Sequence, residues 1–349
     1  MKTTYISTFT LSDTSRGLLM KQSANLARLQ VEMSTGRKAD IGLDLGSRTG
    51  EAIALRSEHT RLNAIIDTNA LAASRLDVTQ AALGDVLGTA QSFLATLVGV
   101  RDSDGSASVA KGEGQGGLDL LISRLNTQVN GNYLFAGLNT DVAPMANYFE
   151  TPAASNKAAV DAAFVARFGF SQDDPAVSTI SAADMDDFLT NFYMPLFDDP
   201  AWGADWSSAS NDAVSSRISA SETLGISVSA NETAFRTLAA VFTMLADLGT
   251  GQLGEAAYGA VVDKAIGLLG EAIGGVTDLM SRMGIAQERV SNASDRLAIQ
   301  AGILNQRINV LENVNPEETA VRLNTAITQL ETTYAVSARI QRLSILNYL

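Results

Sequence analysis

Residues 52–97 read AIALRSEHTRLNAIIDTNALAASRLDVTQAALGDVLGTAQSFLATL, and their spacing decides the fold. Ala52, Leu55, His59, Leu62, Ile66, Asn69, Ala73, Leu76, Gln80, Leu83, Leu87, Ala90, Leu94 and Leu97 recur at alternating steps of three and four without a slip. Residues 262–297 repeat the pattern through Val262, Ala265, Leu269, Ala272, Val276, Leu279, Met283, Ala286, Val290, Ala293 and Leu297. A seam with this period runs along one side of a helix and needs a partner helix to bury it. Two such seams in one chain predict that its ends pair with each other. The expected fold is mainly α: a long antiparallel helical bundle or coiled coil formed by the N- and C-terminal regions. Into it is set a mixed α/β or β-rich variable domain.

Outward from the first seam, Leu19, Leu26, Leu29 and Met33, with Gln22 in step, give a shorter helical stripe that ends at Gly36, a natural C-cap. Residues 1–16 look poorly ordered alone. The four glycines of 36–50 predict an irregular loop, and Asp102 to Gly117 reads as a linker. A helix then carries Leu118, Ile122, Leu125 and Val129, followed by a short strand at Tyr133-Leu134-Phe135. Residues 133–206 hold 13 of the 21 aromatics and five of the six prolines, which favours strands and turns over long helices. Helix resumes at Asn231, a good N-cap. The second long helix, about 254–313, contains Gly267, Gly270, Gly274, Gly275 and Gly284, each costing ~1 kcal/mol relative to Ala unless a neighbour packs closely against it. Asn315-Pro316-Glu317-Glu318 caps a last helix, with Glu318 placed to reach back. That helix carries Ala320, Leu323, Ile327, Leu330 and Tyr334. The organisation is thus 1–45 terminal helix and loop, 46–137 and 218–313 halves of the helical core, 138–217 inserted domain, and 314–349 last terminal helix.

Composition excludes several functions. The net charge is −13, with 12 acids against Lys157 and Arg167 in 138–216, which argues against nucleic acid and anionic lipid, since both call for clustered Lys and Arg. Without cysteine there is no disulfide or thiolate metal site, and nothing covalent opposes repeated unfolding. No apolar run reads as a membrane span, and Met1 to Thr14 lacks the apolar core of a cleaved signal. The single histidine, His59, has no partners for a zinc site or a nucleophile–base pair and reads as packing. Asn69 and Gln80 on the seam read as register-fixing polar residues. The acidic pairs Asp173-Asp174, Asp186-Asp187 and Asp198-Asp199 match no EF-hand and read as solvated surface. Gly112 to Gly117, GEGQGG, lacks the Lys and Ser/Thr of a phosphate loop. The expectation is no catalytic residue, no cofactor and no metal. An enzyme would need a clustered polar pocket, for which the acidic middle domain is the place.

Three stretches resemble the flagellin superfamily, and within it the hook–filament junction proteins. Met33-Ser34-Thr35-Gly36-Arg37-Lys38 is similar to the segment that closes that family's first terminal helix. Gly131-Asn132-Tyr133-Leu134-Phe135-Ala136-Gly137, followed by Thr140 and Pro144, resembles the signature that opens its variable domain, with Gly131, Tyr133, Phe135 and Gly137 the motif positions. The end, Leu343-Ser344-Ile345-Leu346-Asn347-Tyr348-Leu349, is the third. Residues 42–50, GLDLGSRTG, lack the Asp-Asp-x-Ala element of filament flagellins, which favours the junction branch.

The resemblance implies an exported structural subunit whose terminal helices, mobile in the monomer, pair as a coiled coil on assembly. It implies an adaptor joining hook to filament at the extracellular flagellum, exported through the flagellar type III channel without a cleaved signal. Its implied partners are other copies of itself, the other hook-associated junction protein, flagellin and an export chaperone, with neither nucleic acid nor membrane. The candidate polymerisation seam is Leu19, Leu26, Leu29 and Met33 with Leu323, Ile327, Leu330 and Tyr334. A filament flagellin and a cytoplasmic coiled-coil scaffold are the alternatives.

Overall fold

The computed structural model describes residues 8–101 and 107–342. Residues 1–7 and the C-terminal motif 343–349 lie outside the described residues, as do 102–106 of the expected linker. Nine α-helices and two hairpins are described: α1 (Thr8–Thr35), α2 (Ile41–Leu45), α3 (Thr49–Val100), α4 (Ala107–Leu125), β1 (Gln128–Val129), β2 (Asn132–Tyr133), α5 (Ser155–Phe168), α6 (Ala182–Phe188), β3 (Ser215–Arg217), β4 (Thr223–Gly225), α7 (Thr233–Asp247), α8 (Glu255–Glu312) and α9 (Pro316–Arg342). The fold is mainly α with an inserted domain. The chain forms two compact units, residues 64–297 and residues 1–63 with 298–349.

In the unit of 64–297, α3 and α8 run antiparallel with their seams engaged. The Asn69 Nδ2 donates to Ser294 Oγ (3.1 Å), Gln287 Nε2 to Asp77 Oδ1 (2.6 Å), and Arg101 pairs with Asp263 (2.7 Å). Partner numbers fall as α3 numbers rise. Every seam residue from Val262 to Leu297 is buried. On α3, Leu76, Leu83 and Leu97 are buried, with Ile66, Leu87 and Leu94 half-buried. A further strip, Ala72, Thr79, Val86 and Phe93, is buried at steps of seven. A two-helix seam does not call for it; further elements pack on that flank.

One such element is α7, buried from Ala234 to Ala246 on almost every side. Such a helix sits inside a core rather than on it. The Phe242 ring meets Phe93 of α3 at 5.3 Å, and Phe235 takes the edge of Phe135 at 5.9 Å. Ala234 fills the space that a Cβ on Gly275 of α8 would need, 2.8 Å away. Close approach is therefore the reason for Gly275, whereas Gly267, Gly270 and Gly274 face open space.

Gly112 to Gly117 belongs to α4 and is not a linker. Its glycines make a helix face. A Cβ on Gly114 would lie 2.9 Å from the Phe242 carbonyl oxygen, and one on Gly117 2.4 Å from the Phe242 ring. The absent side chains let α4 and α7 approach, and Ala110, Leu118, Leu121, Ile122 and Leu125 complete the buried stripe. The helix ends at Leu125, and Val129 lies in β1 instead.

The inserted segment is mixed, with helix predominating. Pro175 and Pro195 sit at the first turns of short 3₁₀ helices, where a missing N–H costs nothing, so these prolines open helical turns without forcing strands. The aromatics supply the core. Tyr148 stacks on Trp206 (5.3 Å), which contacts Trp202 (5.7 Å) and Phe197 (4.9 Å), and the contacts continue through Tyr193 and Phe188 to Phe164. Both bases pair twice: Lys157 with Asp161 and Asp247, Arg167 with Asp184 and Asp187. Asn231 does not cap α7, which starts at Thr233. Its side chain accepts from Trp202 Nε1 (2.8 Å) and donates to the Ala209 carbonyl (2.9 Å), tying the segment's return.

Within Ile41–Gly99 an 18-residue window reaches a mean hydropathy of 1.3, enough by length and composition for a membrane span. This differs from the expectation that no apolar run reads as a membrane span. A third of that window is buried against protein.

Candidate assembly surface

In the unit of 1–63 and 298–349, α1 packs against α9. The pair is antiparallel: the Gly36 carbonyl accepts from Val314 N (3.0 Å) at one end, and Leu18 shares a groove with Val336 at the other. Facing positions on α1 are Leu19, Gln22, Leu26 and Leu29, of which Leu29 is buried and the rest half-buried. On α9 they are Thr319, Leu323, Ala326, Leu330, Thr333 and Ser337, again at steps of three and four.

This register divides the eight expected seam residues. Leu19, Leu26, Leu29, Leu323 and Leu330 lie within the pair. Met33, Ile327 and Tyr334 fall one position off and remain exposed, at 43%, 37% and 55%. Leu18, Met20, Val31, Val321 and Val336 are exposed with them. The helices that carry this apolar surface have little net charge: α1 sets Asp13 and Glu32 against Arg16, Lys21 and Arg28, and α9 sets Glu317, Glu318 and Glu331 against Arg322, Arg339 and Arg342.

Beneath the pair, the 33–38 segment crosses the turn between α8 and α9. Hydroxyls of Ser34 and Thr35 donate to the Val31 carbonyl (3.0 and 2.7 Å), closing α1, and Gly36 turns the chain with φ +70°. Lys38 N donates to the Glu312 carbonyl (2.8 Å). The Glu312 side chain is fully buried, its Oε2 held by Arg56 Nη2 (2.5 Å) with Arg37 at 4.0 Å. That contact raises the Arg56 pKa through its hydrogen bond to Glu312, against a smaller opposing effect of burial. A buried carboxylate needs such a partner. Asn315 Oδ1 accepts from Glu317 N (3.0 Å) and caps α9 as expected. Glu318 does not reach back; it pairs with Arg322 one turn on. The loop of 36–50 is more regular than its glycines suggest, since Asp40 caps α2 through Leu43 N (2.9 Å). Likewise α1 begins at Thr8, within the stretch read as poorly ordered.

The 131–137 motif closes the base of the inserted segment. Asn130 and Gly131 both adopt positive φ (52° and 80°), the requirement of a two-residue hairpin turn between β1 and β2. The paired strand ends at Tyr133, Leu134 N still donates to the facing Thr127 carbonyl (3.0 Å), and Phe135 lies beyond the pairing. Phe135 is buried on Phe235, and its carbonyl accepts from Ala230 N (2.7 Å). At Gly137, φ is +61° and a Cβ would sit 2.3 Å from the Ser210 carbonyl oxygen, so only glycine fits.

The polar residues of the long seams have partners within the fold. Asn69, fully buried, donates to the Ile218 carbonyl (3.0 Å) and Ser294, and Gln80 donates to the Met280 carbonyl (2.8 Å). His59 lies against Asn63 at 3.2 Å. Among the acidic pairs, Asp174 caps a 3₁₀ turn, Asp187 meets Arg167 and Asp199 meets Arg236. No group of three or more His, Cys, Asp or Glu suited to a metal occurs among the described residues.

Comparison with known proteins fits this architecture. No curated protein matches the chain. Among solved structures, a protein described as a flagellar hook-associated protein of Vibrio parahaemolyticus superposes with a TM-score of 0.51 at 11% identity, covering 76% of this chain and 97% of that one. At that identity the likeness concerns the fold. Residues 6–140 match the bacterial flagellin N-terminal helical region, and residues 266–349 match the bacterial flagellin C-terminal helical region. Matched at both ends in this way, the chain belongs to the flagellin family and is a structural component of the bacterial flagellum.

Proposed function

We propose that the chain is the adaptor that joins hook to filament, assembling with copies of itself through α1 and α9. The exposed apolar surface of these two helices carries the reading: Leu18, Met20, Val31 and Met33 on α1, with Val321, Ile327, Tyr334 and Val336 on α9. Apolar side chains left exposed along both helices are available to a neighbouring copy, whose contact would bury them. In this reading Leu19, Leu26, Leu29, Leu323 and Leu330 hold the pair, and Met33, Ile327 and Tyr334 meet neighbouring copies. Burying these side chains contributes about 25 cal/mol per Å². It offsets the ordering of the terminal helices, about 1–2 kcal/mol per residue, which makes assembly a folding step coupled to binding.

The adaptor role is supported by the 131–137 motif and by residues 42–50, which lack the filament-type element. The hook-associated likeness agrees with it. The other partners follow: a second hook-associated protein on one side, flagellin on the other, and an export chaperone before secretion as an uncleaved chain. The subunit is structural and performs no catalysis. The matches to flagellin's own helical regions favour the filament subunit as the second reading.

Electron microscopy of cells lacking the gene, with a blot of the medium for flagellin, separates the two. Bare hooks with flagellin lost to the medium support the adaptor. Loss of both the filament and the main exported subunit makes this chain the flagellin. Normal filaments in a strain without a second copy of the gene overturn both.

A further inference from the structure

Arg75 of α3 is half-buried and has no carboxylate. Its Nη2 donates to the carbonyls of Tyr133 (3.2 Å) and Leu134 (3.1 Å), and its Nε is buried without a hydrogen-bond partner. Burial lowers its pKa, with no acid near enough to raise it. Among the described residues the other half-buried arginines, Arg28, Arg124, Arg167 and Arg236, all pair with an aspartate. A desolvated guanidinium facing only carbonyls is costly, and a carboxylate would remove that cost.

Space for one exists. A groove of about 270 Å³ borders Arg75, with Thr68, Leu71, Asn130, Ser215 and Ser216 around it and no acidic residue in its lining. Leu71 on its rim is 65% exposed. The groove therefore offers one cation, several uncharged donors and an apolar lip, in a molecule of net charge −13.

We propose that this groove receives an acidic side chain from a second copy of this chain, pairing with Arg75 across the subunit contact. The charge distribution argues for that occupant. Segment 138–216 has far more acids than bases, and both of its bases are already paired inside the chain. Exposed acids such as Asp141, Asp173 and Asp186 make no ion pair among the described residues. The proposal rests on the self-assembly reading above.

The test places a photoreactive phenylalanine analogue at position 215 of the full chain in flagellated cells, with the same probe at position 334 as a control for self-contact. The expected result is an adduct between two copies at 215, its second peptide lying within 138–216. Ser216→Asp supplies a carboxylate within the chain and should abolish that adduct, whereas Ser216→Asn should leave it. An adduct at 215 to a different protein or a different segment, or none while 334 yields copy–copy adducts, overturns the groove proposal alone. Failure at both positions overturns the self-assembly reading with it.

Discussion

Substituting the glycines of α4 by alanine one at a time should split them into two classes. Gly112 and Gly116 are exposed, and a Cβ on either meets nothing within 4 Å. Alanine there gains helix propensity alone, about 0.8–1 kcal/mol each. At Gly114 the new Cβ would stand 2.9 Å from the Phe242 carbonyl oxygen and 3.2 Å from Ala246 N. Both are backbone atoms of α7, which is buried on almost every side and cannot recede without disturbing its contacts with Phe93 of α3 and Gly275 of α8. Overpacking of this kind costs roughly 1–3 kcal/mol. After the propensity gain, Gly114→Ala should destabilise by up to about 2 kcal/mol. Gly117→Ala should behave similarly, since the Phe242 ring at 2.4 Å must turn out of its contact with Phe93. Urea unfolding followed by circular dichroism reads the difference: midpoints rise for Gly112→Ala and Gly116→Ala and fall for the other two. Equal stabilisation at all four positions would refute the close approach of α4 and α7, and with it the reading of GEGQGG as a helix face.

Other consequences are equally open to measurement. Gly267→Ala, Gly270→Ala and Gly274→Ala in α8 should each stabilise by about 0.5–1 kcal/mol, whereas Gly275→Ala, blocked by Ala234, should not; the same unfolding assay decides. Arg56→Ala leaves Glu312 buried with Arg37 only at 4.0 Å, and should cost about 2–3 kcal/mol, less than for a wholly buried pair because Arg56 is half exposed. Hydrogen exchange at the α8–α9 turn should rise accordingly, and more than in Glu312→Gln, which leaves no buried charge. Alkaline pH should weaken the unit of 64–297. Burial and Asp247 raise the pKa of Tyr148 and Tyr193, and the Asp247 and Asp161 contacts raise that of Lys157 against its burial. The protonated forms are favoured in the fold, so their stability is fully present below the unfolded values near pH 10 and is lost as pH rises beyond them. Tyrosinate absorbance from Tyr148 and Tyr193 should appear only together with unfolding.

The long seams were legible because a heptad pattern needs no knowledge of the partner; from Val262 to Leu297 the stripe and the burial coincide. What failed was information that only the partner holds. Glycines at 112–117 read as a linker until α7 explains their missing side chains. The buried strip of Ala72, Thr79, Val86 and Phe93 lies outside the two-helix seam, so it was passed over. On α9 two phases one residue apart both carry apolar residues. The larger Ile327 and Tyr334 suggested themselves, yet the smaller Ala326 and Thr333 face α1. The motif glycines at 131 and 137 were recognisable by resemblance, but their reasons, a positive φ and an approaching carbonyl, appear only in three dimensions. Arg75 had no sequence signal, because the absence of a carboxylate around it is a property of the packed chain.

The most direct test of the assembly account is a strain whose sole copy carries Ile327→Asp and Tyr334→Asp. Both side chains are exposed in the single chain, so the fold and the circular dichroism of the purified variant should be unchanged. The account predicts that the variant is exported in normal amount and recovered from the medium together with flagellin, while electron microscopy shows hooks without filaments. Normal filaments containing the double variant would contradict it.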